Sequence, residues 1–214
     1  MFRRLSFDFD GLLLGAERHR LPFDLGASDS SFPRLGSHCQ RPGDPDASPA
    51  ALVVRSSLFN HLMNELLSQL PALLPLAVKW VEDQEAVILR DGARLTGQAL
   101  ADAQAVGVAH SEKIRILYGA AMPVPADPTL LAAGRASGLI SPRTGGMAFR
   151  YGIFIRHDCR GDRNMVAHEC AHTGQYERLG GVAEFLTQYL QQCITIGYPE
   201  APLEQEAIDK AASI

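Results

Sequence analysis

The chain predicts an α+β fold, on three observations. Residues 148–156 form an aromatic and β-branched run, Ala-Phe-Arg-Tyr-Gly-Ile-Phe-Ile-Arg, that reads as a strand. A helical pattern starts shortly after it at Arg163, behind the polar connection 158–162. Further helical patterns precede the strand and follow the motif helix, with no repeat and no strand–helix alternation of the kind that builds a parallel sheet.

From the N-terminus, residues 1–50 are rich in Gly, Pro, Ser, Asp and Arg, as in Leu25-Gly26-Ala27-Ser28-Asp29-Ser30-Ser31, and hold no sustained helical or strand period. Such a composition buries too little apolar area to offset its ordering entropy, so an N-terminal disordered arm is expected, followed by a single domain over 51–214. Met1-Phe2-Arg3-Arg4 opens like a secretory signal, but Asp8 and Asp10 interrupt it and the leucine run 12–14 is too short.

Residues 58–80 predict one or two amphipathic helices broken near Pro71 and Pro75, and their polar residues argue against a membrane span. Residues 81–89 read as an acidic turn followed by the strand-like run 86–89, ended by Asp91-Gly92. A helix is expected over 95–106, stopped by Gly107; 112–118 is either a strand or a short helix. Pro123, Pro125 and Pro128 make a stiff connection into a short helix over 130–136. After the strand, Asp162 is placed to cap a helix over 163–176, and Gly180-Gly181 stops it. Residues 182–196 follow as another helix, and Pro202 opens a last one beginning Leu203-Glu204-Gln205-Glu206.

The motif helix carries His168-Glu169-Cys170-Ala171-His172. Histidines four apart on a helix lie about one turn from each other on one face, so both imidazoles reach one metal ion, and the intervening Glu169 is placed as a general base. A shuffled chain of this composition would carry the pattern roughly 0.01 times, so the strand before it and the carboxylates after it decide its weight. A hydrolytic zinc site takes three protein ligands and leaves one position open. The third is expected from the last helix, as Glu204 or Glu206. Cys170 lies about 200° around the helix from His168, away from the metal face, and reads as a small buried residue.

These residues resemble the zincin superfamily of metallopeptidases, in its gluzincin branch, which includes small bacterial proteins of unassigned function. The resemblance covers residues 147–214, about a third of the chain. It implies an edge strand before the H-E-x-x-H helix and a C-terminal helix bearing a glutamate in an E-x-x-A setting, here Glu204-Gln205-Glu206-Ala207. It further implies Zn2+ as cofactor, His168, His172 and Glu204 as ligands with Glu206 as the alternative, and Glu169 as catalytic base. The expected activity is peptide hydrolysis on a peptide or protein substrate that pairs with the strand over 148–156. The oxyanion partner is open among His157, Tyr176, Tyr189 and Tyr198. Ile208 stands where many members have an aspartate, with Asp209 one residue later.

Other chemistries fit less well. Cys39, Cys159, Cys170 and Cys193 form no C-x-x-C pair, and Glu169-Cys170-Ala171-His172 has no second Glu-x-x-His to build a di-iron site. Four unpatterned cysteines suit a reducing cytoplasm. A net charge of −4 with no basic face argues against nucleic acid. The intact Glu169 favours an enzyme over the alternative, a non-catalytic metal- or peptide-binding protein of the same fold, because a structural metal site needs no base beside its ligands.

Overall fold

Helix α1, Pro49–Asp91, runs straight through the two prolines expected to break it. In a computed structural model, which describes the backbone of residues 49–214 and the side chains from His61 onward, Pro71 and Pro75 stand one turn apart on the exposed face. The hydrogen bonds they remove are therefore lost on the side open to water. The opposite stripe, Met63, Leu66, Leu73, Ala77, Val81 and Ile88, is buried. An interior proline costs about 3 kcal/mol, while burying each large member of such a stripe contributes roughly 1.5–3 kcal/mol, so the stripe prevails. It also absorbs residues 86–89, which are not a strand but the last turns of α1, with Ile88 inward and Leu89 exposed. Four apolar residues in a row carry no period, and only the spacing from Val81 to Ile88 marks them as helix. The expected arm over 1–50 lies outside the described residues except for the start of α1.

A short strand absent from the sequence reading, β1 (Ala93–Arg94), follows α1. Helix α2, Gly97–Ala105, comes next, then a 3₁₀ turn, Ser111–Lys113, and β2, Arg115–Gly119. The open choice over 112–118 thus resolves into a turn and a strand. Helix α3, Pro128–Ala136, starts where Asp127 accepts hydrogen bonds from the backbone of Thr129 and Leu130, both at 2.9 Å.

The run 148–156 is not one strand. It folds into a hairpin of β3, Gly146–Phe149, and β4, Gly152–Arg156, around Arg150 and Tyr151. Neither is a turn-forming residue, and Arg150 takes the left-handed φ of 57°. Long-range contacts hold it there. Glu85 of α1, itself buried, pairs with the Arg150 guanidinium at 2.6 Å and accepts from Tyr151 N at 3.0 Å. From the helix on the other side, Thr173 Oγ1 donates to Arg150 O at 2.6 Å and Glu177 accepts from the Tyr151 hydroxyl at 3.0 Å.

The four-stranded sheet has the order β1-β2-β4-β3, with β2 and β4 parallel and both outer pairs antiparallel. The fold is thus mixed α+β. Of the two hairpin strands β3 lies at a sheet edge, while β4 is interior and buried from Gly152 to Ile155. One sheet face packs on α1, where Phe149 meets Trp80 edge-on at 5.2 Å. The other meets α4, Arg163–Leu179; there a Cβ at Gly146 would stand 2.7 Å from the Glu169 carboxylate. Helices α5, Val182–Thr195, and α6, Pro202–Ala212, complete the described residues, among which no helix is long and apolar enough to cross a membrane.

Candidate metal centre

Helix α4 is fixed at both ends by its own sequence. The Asp162 side chain accepts from Met165 N at 3.0 Å, and Gly180, at φ 108°, ends the helix in the left-handed conformation that a β-carbon disfavours. Between these ends the helix is buried from Glu169 to Tyr176, with Cys170 turned into the core as its angular position requires.

His168 and His172 project from α4 toward Glu204 in the first turn of α6. Their Nε2 atoms are 3.1 Å apart, His168 Nε2 is 3.4 Å from Glu204 Oε1, and His172 Nε2 is 3.3 Å from Glu204 Oε2. The structure thus brings Glu204, and not Glu206, to the histidines. Glu206 turns the other way, onto Arg178 at 2.6 Å and Lys210 at 2.9 Å. In a helix two residues span about 200°, so carboxylates spaced i and i+2 cannot share one face.

The peptide before Glu204 is clamped from two sides. Leu203 N donates to Gln192 Oε1 of α5 at 3.0 Å, and Leu203 O accepts from Gln175 Nε2 of α4 at 2.7 Å. The Gln175 nitrogen also faces Glu206 Oε2 at 3.2 Å. Both partners only accept, so the amide oxygen is the end turned to His172 Nδ1, 2.8 Å away. His172 Nδ1 therefore carries a proton, and Nε2 is the nitrogen turned to Glu204 and the site. His168 Nδ1, by contrast, is buried with no hydrogen-bond partner.

Electrostatics follow from this packing. Burial disfavours charge on Glu204, yet hydrogen bonds and charge from His168 and His172 hold its carboxyl well below the usual range. Burial likewise opposes a charged His172, but Glu204 and Glu169 overcome it and raise the imidazole. Glu169 moves the opposite way: burial pushes its carboxyl up, against the two histidines and a hydrogen bond from the Ala148 backbone.

The four proposed oxyanion partners separate in space. His157 is exposed in a 3₁₀ turn, His157–Cys159, and Tyr176 donates to Ala148 O at 3.3 Å. Tyr189 donates to Glu204 Oε2 at 2.8 Å, and Tyr198 also hydrogen-bonds Glu204. Gln175 lies outside the H-E-x-x-H motif; its position three residues after His172, on the same helix face, is the signal for its contact. Gln192 carries no comparable signal.

The donor set suits zinc. Any two donors around a tetrahedral zinc at about 2.0–2.2 Å stand about 3.3–3.6 Å apart, close to the distances between the two nitrogens and from each nitrogen to its own oxygen of Glu204. Comparison with known proteins adds no name to this geometry: no family model, no curated protein and no solved structure matches the chain.

Proposed function

We propose that this chain is a zinc-dependent hydrolase acting on peptide bonds, with His168, His172 and Glu204 holding the metal and Glu169 as general base. One observation carries the reading. Three donor groups converge, each histidine Nε2 within 3.4 Å of an oxygen of Glu204, and a fourth ionisable side chain, Glu169, is buried beside them without belonging to the donor set.

When bound, zinc would supply a Lewis acid for the substrate carbonyl and lower the pKa of a coordinated water. The chain's own residues supply the rest. Glu169, with its carboxyl raised by burial, is a better proton acceptor than a solvated glutamate; it takes the proton of the attacking water and passes it to the leaving amine. The Ala148 N–H on the edge strand fixes the carboxylate's orientation. The expected pairing of substrate along 148–156 is narrowed accordingly. Strand β4 is interior, and on β3 the outward N–H and C=O of Ala148 are taken by Glu169 and Tyr176, so backbone pairing is left to the Gly146 end.

The test is elemental analysis of untagged protein, wild type against His168→Ala, followed by a peptide-library assay. About one zinc per chain, lost in the variant, with peptide cleavage that Glu169→Gln abolishes, supports the proposal. Zinc without cleavage would leave a metal-binding protein, and no zinc would remove both readings.

A further inference from the structure

Helix α5 supplies no donor to the candidate metal centre, yet it holds Glu204 at two points. Gln192 fixes the backbone just before it, through Leu203 N at 3.0 Å. Tyr189, three positions earlier and so on the same helix face, donates its hydroxyl to Glu204 Oε2 at 2.8 Å. Tyr198, just past the end of α5, brings a second hydroxyl to the same carboxylate.

The Tyr189 ring cannot swing to follow the carboxylate. It stacks on Phe185 with centroids 5.1 Å apart and planes at 16°, and Phe185 packs in turn on Tyr176 at 3.9 Å. His172 meets the Tyr189 ring edge-on at 5.5 Å. A ring packed from these sides leaves its hydroxyl at one place, so the hydroxyl sets the carboxylate and not the reverse. Oε2 faces both Tyr189 and His172 Nε2, whereas Oε1 faces His168 Nε2 at 3.4 Å. The difference has a chemical consequence. Beside two imidazoles, a carboxylate that binds zinc through both oxygens fills a four-coordinate shell, and one that binds through a single oxygen leaves the position a hydrolytic site needs.

We propose that Tyr189, assisted by Tyr198, is a positioning residue that keeps Oε2 engaged and leaves Oε1 as the oxygen of Glu204 offered to the metal, so that one coordination position stays open. The proposal rests on the metal-binding part of the hydrolase reading. It also gives both tyrosines a task other than oxyanion partner, because each acts through Glu204.

The experiment replaces zinc by Co2+, which takes the same nitrogen and oxygen donors and absorbs visible light more strongly in four-coordination than in five or six. The full-chain wild type should show the strong four-coordinate spectrum, shifted saturably by azide entering the open position. Tyr189→Phe should lower that absorption at least twofold and weaken azide binding at least tenfold. Tyr176→Phe deletes a hydroxyl from the same aromatic stack, one bound to Ala148 O and not to Glu204, and should change neither. A wild-type spectrum that azide does not move overturns the proposal without any variant. An unchanged spectrum in cobalt-bound Tyr189→Phe, or an equal change in Tyr176→Phe, overturns it and leaves the metal site standing. Wild type that takes up neither cobalt nor zinc overturns both the proposal and the hydrolase reading; the expected spectra without peptide cleavage uphold the proposal and overturn the hydrolase alone.

Discussion

Gln175 ties His172 to the peptide of Leu203, so a single amide on α4 orients one member of the candidate metal cluster and anchors the segment that carries another, Glu204. Groups that hold the far nitrogen of a ligating histidine commonly govern metal affinity by 10- to 100-fold. Gln175→Leu keeps the side-chain bulk but removes these hydrogen bonds and the one to Glu206. It is expected to weaken zinc binding by about one to two orders of magnitude, measured by competition with a chromophoric chelator. Unchanged affinity would mean that Gln175 only packs.

Glu204 and Glu206 should part company in the same assay. Glu204→Gln removes an anionic donor from between two histidines and is expected to abolish zinc retention through dialysis. Glu206→Gln weakens a partly exposed pair with Arg178 and Lys210, costing roughly 0.5–1.5 kcal/mol of stability, and should keep zinc within a few-fold of wild type. Equal zinc loss in both variants would reopen Glu206 as the ligand.

For Glu169, the isosteric change to Gln preserves volume and an oxygen that can accept from Ala148 N, but not the basic carboxylate. Zinc content is expected to stay near one per chain while hydrolysis falls by about 10²–10⁴-fold, the usual worth of a positioned general base. Activity equal to wild type would exclude Glu169 from proton transfer.

The hairpin clamp yields a stability prediction. Glu85→Ala leaves the Arg150 guanidinium and Tyr151 N, at the left-handed turn, without their buried partner. The loss should be about 2–4 kcal/mol in urea unfolding, toward the lower end because Arg150 is partly exposed. A change within 0.5 kcal/mol, the range of ordinary surface substitutions, would show that the turn holds itself.

What the sequence made legible was local. Asp162, Gly180 and the spacing of the two histidines act within one or two turns of the chain, and the helix they predict is the helix that forms, extended by one turn to Leu179. The turn at Arg150 was not legible, because the residues that impose it, Glu85 and Thr173, lie 65 and 23 positions away. The continuous α1 was missed for a related reason: local proline propensity argues for a break, and only a sheet packed on the other face outweighs it. Likewise, Glu204 and Glu206 are equal on composition, and the i, i+2 geometry separates them only once α4 is known to lie on one side.

A last prediction concerns how α4 is anchored where it starts. Arg163, in its first turn, faces a helix terminus that disfavours positive charge, and Asp102 of α2 offsets this with two hydrogen bonds of 2.8 Å. The Arg163 guanidinium holds the Asp102 carboxyl at about 2, burial opposing and Gln98 assisting. A carboxyl lowered in the folded state below its unfolded value of about 3.9 adds stability above that value, and this contribution disappears as pH falls through the folded one. Wild type should therefore lose stability between about pH 4 and pH 2, and Asp102→Asn should lose less over that interval. At pH 7 the variant should already be destabilised by about 1–3 kcal/mol, the worth of hydrogen bonds to a charged group. Glu206, held at about 2 by Arg178 and Lys210, titrates in the same interval. The decisive quantity is thus the difference between wild type and Asp102→Asn in urea midpoints at pH 7, 4, 3 and 2. A constant difference across that series would show that the pair does not anchor α4 through its charge.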